Sequence, residues 1–284
     1  MKLIDFRVRP PVAGFEHASM YARPERTEAM GAVFGFPGAM PPSLRTRSPR
    51  DFQAERRATG IGLCVLPGRV GAPGVGPADN ALLVDYAASE DGLCAFPAVD
   101  PLAPGWENAI DALHRRSPAA VRGLVLEPGL LASPLYPDDE RCEPVYAYCA
   151  ARGWPLILSA GGNIGPDCGF SLPVHVDRVA RDFPELPIVV AHGGWPWITA
   201  INHVAFRRGN VYISPDMYAL MPGNEAFLVA MNSYLSERYL YASSYPFVPL
   251  TAYRDAFLGK IASDTVAERV LFLNAANLLG LDAP

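Results

Sequence analysis

The stretch Ile188-Val189-Val190-Ala191-His192-Gly193-Gly194 decides the fold class of this chain. Four apolar residues lead directly to a histidine and two glycines. A short, continuous apolar run of this kind is typical of a parallel strand that is buried on both faces. The run starts at Pro187, and seven similar runs rich in Val, Ile and Leu occupy residues 2–7, 61–66, 93–99, 121–126, 155–159, 210–214 and 238–243. The sequence therefore predicts eight parallel strands, with 187–191 as the sixth.

Helical signals fill the gaps between these strands. Ser48 and Pro49 supply an N-cap and a first-turn proline for one helix. Further helices are predicted over residues 78–91, 138–152, 173–183, 196–208, 224–236 and 251–262. Alternating strands and helices predict an α/β fold, a closed (β/α)₈ TIM barrel. One extra C-terminal helix is predicted over residues 263–279.

Length and charge restrict the classes of protein that fit. The chain has 284 residues, of which 50% are hydrophobic, and this is within the usual size of one barrel domain over residues 1–284. The formal net charge of −5 argues against nucleic-acid binding, which needs a concentrated basic face. No apolar stretch approaches the roughly 20 residues that cross a bilayer, so we expect no membrane partner.

Cysteine usage and the N-terminus predict a cytoplasmic protein. The five cysteines are odd in number and show no Cys-x-x-Cys spacing, which favours reduced thiols over a disulfide framework. Met1 is followed at once by a predicted strand, which leaves no room for a signal peptide.

The segment 10–47, which follows the first strand, is rich in proline and glycine, so it does not form one regular element. Its place after the first strand predicts an insertion that covers the C-terminal mouth of the barrel. Its aromatic residues either line a substrate lid or pack as an arm against the barrel or a partner subunit; they are Phe15, Tyr21, Phe34 and Phe36. A second irregular loop spans residues 68–77.

Polar residues follow the predicted strands at the end where barrel enzymes place their active sites. Five of them should meet at the mouth, and they are Arg7, Arg9, Ser159, His192 and Ser244. Glu127 and Asp216 follow the fourth and seventh strands. We predict that His192 acts as a catalytic acid or base, because histidine titrates near neutral pH. The alternative is that His192 is a remnant without a function, whose hydrogen bonds are made by neighbouring groups.

The remaining six residues are predicted to bind substrate. Residues two apart on a strand share a face, so Arg7 and Arg9 should both point into the mouth and need a negative partner. Glu127 and Asp216 supply that charge as salt-bridge partners, or they replace a lost acid or base. If they do not neutralise the pair, a ligand carboxylate or phosphate does so, held by forked hydrogen bonds. Ser159 and Ser244 complete the predicted mouth.

Six motifs in order resemble the amidohydrolase-related family, the group that contains aminocarboxymuconate semialdehyde decarboxylase. They are Ile4-Asp5-x-Arg7-x-Arg9-Pro10, Arg122-Gly123, Asp182-Phe183-Pro184-x-Leu186, Ala191-His192-Gly193-Gly194, Ser243-Ser244-Tyr245-Pro246-Phe247 and Asn274-Ala275-x-Asn277-Leu278-Leu279-Gly280. The resemblance implies a barrel that works as a hydrolase or decarboxylase on small carboxylate-bearing molecules. It also points to a homodimer.

The resemblance implies metal ligands at five positions, where the family usually reads Asp-x-His-x-His, a strand-end His, His-x-Gly and Gly-Ser-Asp-x-Pro. Only His192 keeps its ligand type, since arginine or serine occupies Arg7, Arg9, Ser159 and Ser244. Guanidinium groups offer only donors and repel a cation, while a divalent metal needs carboxylates, thiolates or neutral imidazoles. We therefore predict no metal and no cofactor.

Three functions remain open at the sequence level. The first is a hydrolase of the amidohydrolase superfamily that acts, without metal, on a small anionic substrate such as a lactone or ester. The second is a non-catalytic barrel, a pseudoenzyme, that binds a small anion or a partner protein. The third is a decarboxylase or lyase of the same family. His192 favours an enzyme, whereas serine at position 244, in place of an acid, favours a binder.

Overall fold

Parallel strands form the centre of the molecule. A computed structural model describes residues 2–71 and 76–281. In this part of the chain seven strands are regular: β1 (Ile4–Asp5), β2 (Leu63–Pro67), β3 (Leu93–Phe96), β4 (Leu124–Leu126), β5 (Leu156–Ser159), β6 (Ile188–Ala191) and β7 (Val211–Ser214). They pair in parallel in two groups, β1-β2-β3 and β4-β5-β6-β7. Each regular strand falls within, or within a residue of, its predicted run.

Backbone hydrogen bonds join these two groups. Between β3 and β4, Ala95 donates to the carbonyl of Ala120 at 2.8 Å. On the other side, residues 239–242 take the place of the eighth strand without regular strand geometry. Leu240 donates to Ile213 of β7 at 3.0 Å, and Phe6, next to β1, donates to Tyr241 at 3.0 Å. The predicted (β/α)₈ barrel is confirmed.

Alternate side chains along each strand separate into two cores. Val65, Ile157 and Val189 belong to a cluster that draws on strands all around the barrel, so it fills the interior. Their sequence neighbours, such as Leu158 and Val190, pack outward in a larger cluster with the helices. This two-sided burial is the physical reason that the strands are uniformly apolar.

Helices surround the strands in sequence order. The helices between β1 and β4 are α1 (Ser19–Ala22), α2 (Pro24–Val33), α3 (Pro42–Thr46), α4 (Pro49–Thr59), α5 (Asn80–Ser89) and α6 (Trp106–Arg116). The later ones are α7 (Glu143–Ala150), α8 (Pro173–Asp182), α9 (Ile198–Arg207), α10 (Glu225–Met231), α11 (Leu250–Leu258), α12 (Asp264–Glu268) and α13 (Asn274–Leu278). Ser48 caps α4 as predicted, because its hydroxyl accepts from the backbone N–H of Asp51 at 3.2 Å.

The extra C-terminal helix predicted over residues 263–279 is present as one continuous helical run over residues 264–278. A π-helical turn, Arg269–Leu273, separates α12 from α13. Ala275 and Leu279 pack with the barrel interior, while Val270 and Leu271 pack with the outer core. One segment therefore serves two cores, and a local π turn is a common way to rotate one helical face relative to the next.

The segment 10–47 is a packed arm built from α1, α2, α3 and a short 3₁₀ turn. The aromatic residues predicted in this segment are at most 8% exposed, which makes them core rather than free lid surface. Phe34 packs edge-on against Tyr218, with ring centroids 5.2 Å apart. The hydroxyl of Tyr21 donates to the carbonyl of Arg9 at 2.9 Å, which ties the arm to the strand-one extension. Residues 72–75 of the second predicted loop lie outside the described residues.

The cysteines are all free thiols, and four of the five are buried while Cys168 is exposed. Burial raises the pKa of the Cys94 thiol to about 12, so this thiol stays protonated and behaves as a small apolar group. Among the described residues, no helix combines the length and the apolar character that crossing a membrane requires.

Candidate functional site

A cavity of about 250 Å³ opens where the barrel strands end. Its polar wall includes Arg7, Arg9, Arg69, Asn163, His192, Tyr218 and Ser244, and its apolar wall includes Met30, Leu130, Met217 and Phe247. The polar residues come from the chain after β1, β2, β5, β6, β7 and the eighth strand position. This is the end of the barrel that carries active sites in enzymes of this architecture.

Glu127 is a buried carboxylate that anchors the arginines of the cavity. Its Oε1 accepts from Arg9 Nη2 at 3.0 Å and from the Ser159 hydroxyl at 3.3 Å. Its Oε2 accepts from Arg69 Nε at 3.2 Å, and Arg7 Nη2 lies 3.7 Å from Oε1. Burial alone would raise the pKa of Glu127, but the charges of Arg9, Arg69 and Arg7 outweigh burial and lower it, so the carboxylate is ionised.

Arg9 is held by the protein itself. Its Nε donates to the carbonyl of Pro67 at 3.1 Å, and Nη2 donates to the carbonyl of Gly68 at 3.0 Å as well as to Glu127. Burial, together with repulsion from Arg69 and Arg7, lowers the pKa of Arg9 well below its ordinary value, against the opposing effect of Glu127. The protein therefore positions Arg9 firmly but does not fully compensate the positive charge around it.

Arg7 lies between the two buried carboxylates. Its Nε is 3.2 Å from Oδ2 of Asp216, and its Nη2 faces both Glu127 and the Nε2 of His192, the latter at 3.4 Å. The third nitrogen, Nη1, is buried and has no hydrogen-bond partner in the described part of the chain. A buried donor left unpaired costs about 1–3 kcal/mol, and more when it is charged, so the protein groups around Arg7 do not satisfy its guanidinium completely.

His192 and Asp216 form a close pair. Asp216 Oδ2 accepts from the backbone N–H of His192 at 3.1 Å, and the Nδ1 of the ring lies 3.0 Å from the same oxygen. That Nδ1 contact is too bent to count as a formed hydrogen bond in this arrangement. Burial and the positive charge of Arg7 lower the pKa of His192 despite Asp216, so the imidazole is neutral at pH 7. Burial alone would raise the pKa of Asp216, but His192 and Arg7 lower it.

The charges around the cavity do not balance. Three guanidinium groups contact two carboxylates, which leaves one positive charge uncompensated while His192 is neutral. Attraction between opposite charges is stronger in a partly desolvated cavity than in water. The site as built therefore favours a small anion over a cation.

Left-handed backbone directs several of these side chains. His192, Asp216 and Ser244 have φ values of 60°, 57° and 59°, and each lies just after the end of a strand position. Non-glycine residues in this region cost roughly 1–2 kcal/mol each and cluster at functional sites. The sharp turns place the carboxylate of Asp216 against the backbone N–H of His192, and they place Ser244 on the cavity wall.

The seven residues predicted for the site separate into two layers. Four line the cavity, and they are Arg7, Arg9, His192 and Ser244. Glu127 and Asp216 lie behind this wall as the partners of the arginines, and Ser159 is hydrogen-bonded to Glu127. The predicted salt-bridge role of the two acids therefore describes their contacts.

Sequence reasoning missed several residues of the cavity, and two of them, Arg69 and Tyr218, bear on its chemistry. Arg69 follows β2 directly, a signal that was available, because the ends of other strands supplied the predicted residues. Tyr218 belongs to the 3₁₀ turn Asp216–Leu220 after β7. A tyrosine in a turn carries no distinctive pattern, so only the folded chain identifies it.

The whole-chain comparisons decide the family, because an amidohydrolase family model matches residues 4–281. The chain belongs to the amidohydrolase family. An uncharacterised TIM-barrel protein from Bordetella bronchiseptica is 38% identical, with 99% of each chain covered and a TM-score of 0.89. No curated protein matches this amidohydrolase.

More distant solved structures share the fold of this amidohydrolase. The 5-carboxyvanillate decarboxylase of Sphingomonas paucimobilis is 17% identical, with 99% of each chain covered and a TM-score of 0.66. A candidate 2-pyrone-4,6-dicarboxylic acid hydrolase from Pseudomonas putida is also 17% identical, with 100% of this chain and 99% of that chain covered, at a TM-score of 0.65. The same barrel fold thus occurs in a decarboxylase and in a candidate hydrolase.

The metal ligands expected from the family resemblance are not the residues found in this amidohydrolase. Arginine nitrogens donate and do not coordinate a divalent cation, and the guanidinium of Arg7 occupies the space between Glu127 and Asp216. Within residues 2–71 and 76–281, no group of three or more His, Cys, Asp or Glu side chains could hold a metal ion. The residues present do not fit a metal at this mouth.

Proposed function

We propose that this amidohydrolase hydrolyses a small anionic ester or lactone, without a metal, at the cavity of Arg7 and His192. The observation that carries the proposal is the combination of an unpaired Arg7 nitrogen, an excess of positive charge and a neutral histidine backed by Asp216. The cavity of about 250 Å³ limits the substrate to a small molecule. Its apolar wall would contact the carbon skeleton of that molecule.

Anion recognition would depend on Arg7 more than on Arg9. Arg9 already has three protein acceptors, whereas Nη1 of Arg7 has none in the described residues. A substrate carboxylate that accepts from the guanidinium of Arg7 would offset the surplus charge. Arg9 and Arg69 would contribute chiefly through the electrostatic field of the site.

Proton transfer would depend on His192. With a proton on Nδ1, which lies 3.0 Å from Oδ2 of Asp216, the Nε2 atom carries the lone pair. Nε2 now faces Arg7 at 3.4 Å, a long contact that a bound carboxylate would replace by accepting from Arg7. Nε2 would then accept a proton from water as that water attacks the ester carbonyl, and return it to the departing alcohol oxygen. The guanidinium charge would stabilise the oxyanion formed between these two steps.

An anion-binding protein without turnover is the second candidate, and the structure gives one specific reason for it. Ser244, in the position of the family's acid, leaves Asp216 as the nearest carboxylate to His192. That carboxylate is fully buried and is shared with Arg7. An acid engaged in this way orients His192 but contributes no proton of its own.

A pair of chromogenic esters tests these alternatives. Mono(4-nitrophenyl) succinate carries a carboxylate, whereas 4-nitrophenyl acetate does not. We expect the wild type to prefer the succinate ester, with a rate that rises as His192 loses its proton below its ordinary pKa of 6.5 and then stays level. His192→Ala should lower the rate about 100-fold or more. His203→Ala, on the exposed surface of α9, is the matched control and should leave the rate unchanged.

Each alternative has a distinct outcome. Thermal stabilisation by succinate without hydrolysis of either ester would favour the binding protein. Release of carbon dioxide from a carboxylic acid, with no ester hydrolysis, would favour the decarboxylase. A His192→Ala variant that hydrolyses the succinate ester at the wild-type rate would remove His192 from the mechanism.

A further inference from the structure

Tyr218 is fixed at the cavity by three aromatic neighbours. Its ring stacks on Trp195, with centroids 4.9 Å apart and planes 19° apart. Phe34 from the arm and His192 meet it edge-on, at 5.2 Å and 5.5 Å. One stacked and two T-shaped contacts hold the ring in one orientation.

The hydroxyl of Tyr218 has no evident structural task. The residue is 5% exposed and lines the cavity. The side-chain amide of Asn224 donates to the backbone carbonyl of Tyr218, and this bond does not involve the hydroxyl. Within residues 2–71 and 76–281 the hydroxyl itself has no hydrogen-bond partner. The hydroxyl is not sealed from the cavity, so it is free to donate to a molecule bound there.

The surroundings of the hydroxyl are shaped to leave it accessible. A Cβ placed at Gly162 would lie 2.8 Å from this oxygen and 3.5 Å from Cδ2 of His192. Glycine thus keeps open the space between the phenol and the imidazole. Burial raises the pKa of Tyr218 to about 12, with Asp216 acting in the same direction and Arg7 against it, so the hydroxyl remains a donor at neutral pH.

We propose that Tyr218 is a substrate-binding residue, whose hydroxyl donates a hydrogen bond to the same carboxylate group that Arg7 binds. Both residues are largely buried and both line one cavity. A carboxylate has two oxygens and can accept from both donors at once. This inference rests on the proposed function for the identity of the ligand class.

Isothermal titration of the full-length protein with acetate and with benzoate tests the assignment. Tyr218→Phe keeps the aromatic contacts and removes one oxygen. We expect it to weaken carboxylate binding about ten-fold or more, because hydrogen bonds to charged groups are the stronger ones. The melting temperature of the ligand-free variant should equal or exceed that of the wild type, since the lost hydroxyl was unpaired. Tyr234→Phe, an exposed tyrosine outside the cavity, should change neither quantity.

The outcomes separate this assignment from the proposed function. A wild type that binds carboxylate, with Tyr218→Phe binding equally well, overturns the role of Tyr218 alone. A ligand-free Tyr218→Phe that melts several degrees lower, or does not fold, shows a structural role for the hydroxyl and also overturns the assignment. A wild type that binds neither probe overturns both this assignment and the anion site.

Discussion

Replacing Glu127 with Gln is the most direct perturbation of the charge arrangement. Three guanidinium nitrogens, from Arg9, Arg69 and Arg7, lie 3.0, 3.2 and 3.7 Å from its two oxygens. Gln keeps the volume and one acceptor but removes the charge, and its amide N–H would face Arg69 or Arg9. Breaking a buried ion pair by removing one partner costs about 3–5 kcal/mol. We expect the upper part of this range, because one carboxylate serves three arginines.

Thermal and urea unfolding measure this loss. For a chain of this size, a loss of about 3–5 kcal/mol corresponds to a fall of roughly 10 °C in melting temperature. Glu28→Gln is the matched control, because Glu28 pairs with Arg45 at 2.7 Å on the exposed surface. Exposed pairs contribute about 0–1 kcal/mol, so the control should stay within a few degrees of the wild type.

Added anion gives a second measurement on the same variant. Without Glu127 the cavity carries two surplus positive charges instead of one, so phosphate or acetate should raise the melting temperature of Glu127→Gln more than that of the wild type. A variant that loses less than about 1 kcal/mol, and responds to anions no more than the wild type does, would refute the view that one carboxylate holds this cluster.

Four further predictions follow from other features. Burial raises the pKa of Asp5 from 3.8 to about 7, so the folded state keeps a proton that the unfolded state loses. The free energy of unfolding should therefore fall by on the order of 4 kcal/mol as pH rises from about 4 to 7. Urea midpoints should show this slope in the wild type but not in Asp5→Asn. Gly162→Ala should lower the melting temperature and weaken carboxylate binding in titrations. Gly153 also has positive φ but open space around it, so Gly153→Ala is the control. It should lower the melting temperature only by the backbone strain of an alanine at positive φ and should leave binding unchanged. Elemental analysis of the purified protein should find no stoichiometric zinc, iron or manganese. One such metal per chain at the mouth would contradict the conclusion that the arginine and serine side chains there do not fit a metal. Light scattering should show a dimer or larger oligomer. A monomer at high protein concentration would contradict this prediction.

The strand predictions succeeded because their cause is local and strong. A parallel strand buried on both faces must be apolar at every position, and residues 187–191 and 155–159 show this without any tertiary information. The eighth strand was harder to define. Residues 239–242 bond to β7 and to the extension of β1, but this pairing is irregular, and sequence pattern does not report hydrogen-bond geometry. The extra C-terminal helix was predicted correctly, but sequence pattern did not report the π-helical turn between its two halves, which face different cores.

For the site, the sequence by itself placed Arg7, Arg9, His192 and Ser244 at the mouth, since in a barrel every strand delivers its C-terminal end to the same place. It also determined that Arg7 and Arg9 need negative partners. Only the tertiary structure decided which acids provide them, which arginine nitrogen remains unpaired and that Tyr218 joins the cavity. The physical reason is that left-handed turns at His192 and Asp216 redirect the chain after each strand. Side-chain direction beyond those turns depends on contacts with the arm and neighbouring loops, and these contacts are distant in sequence.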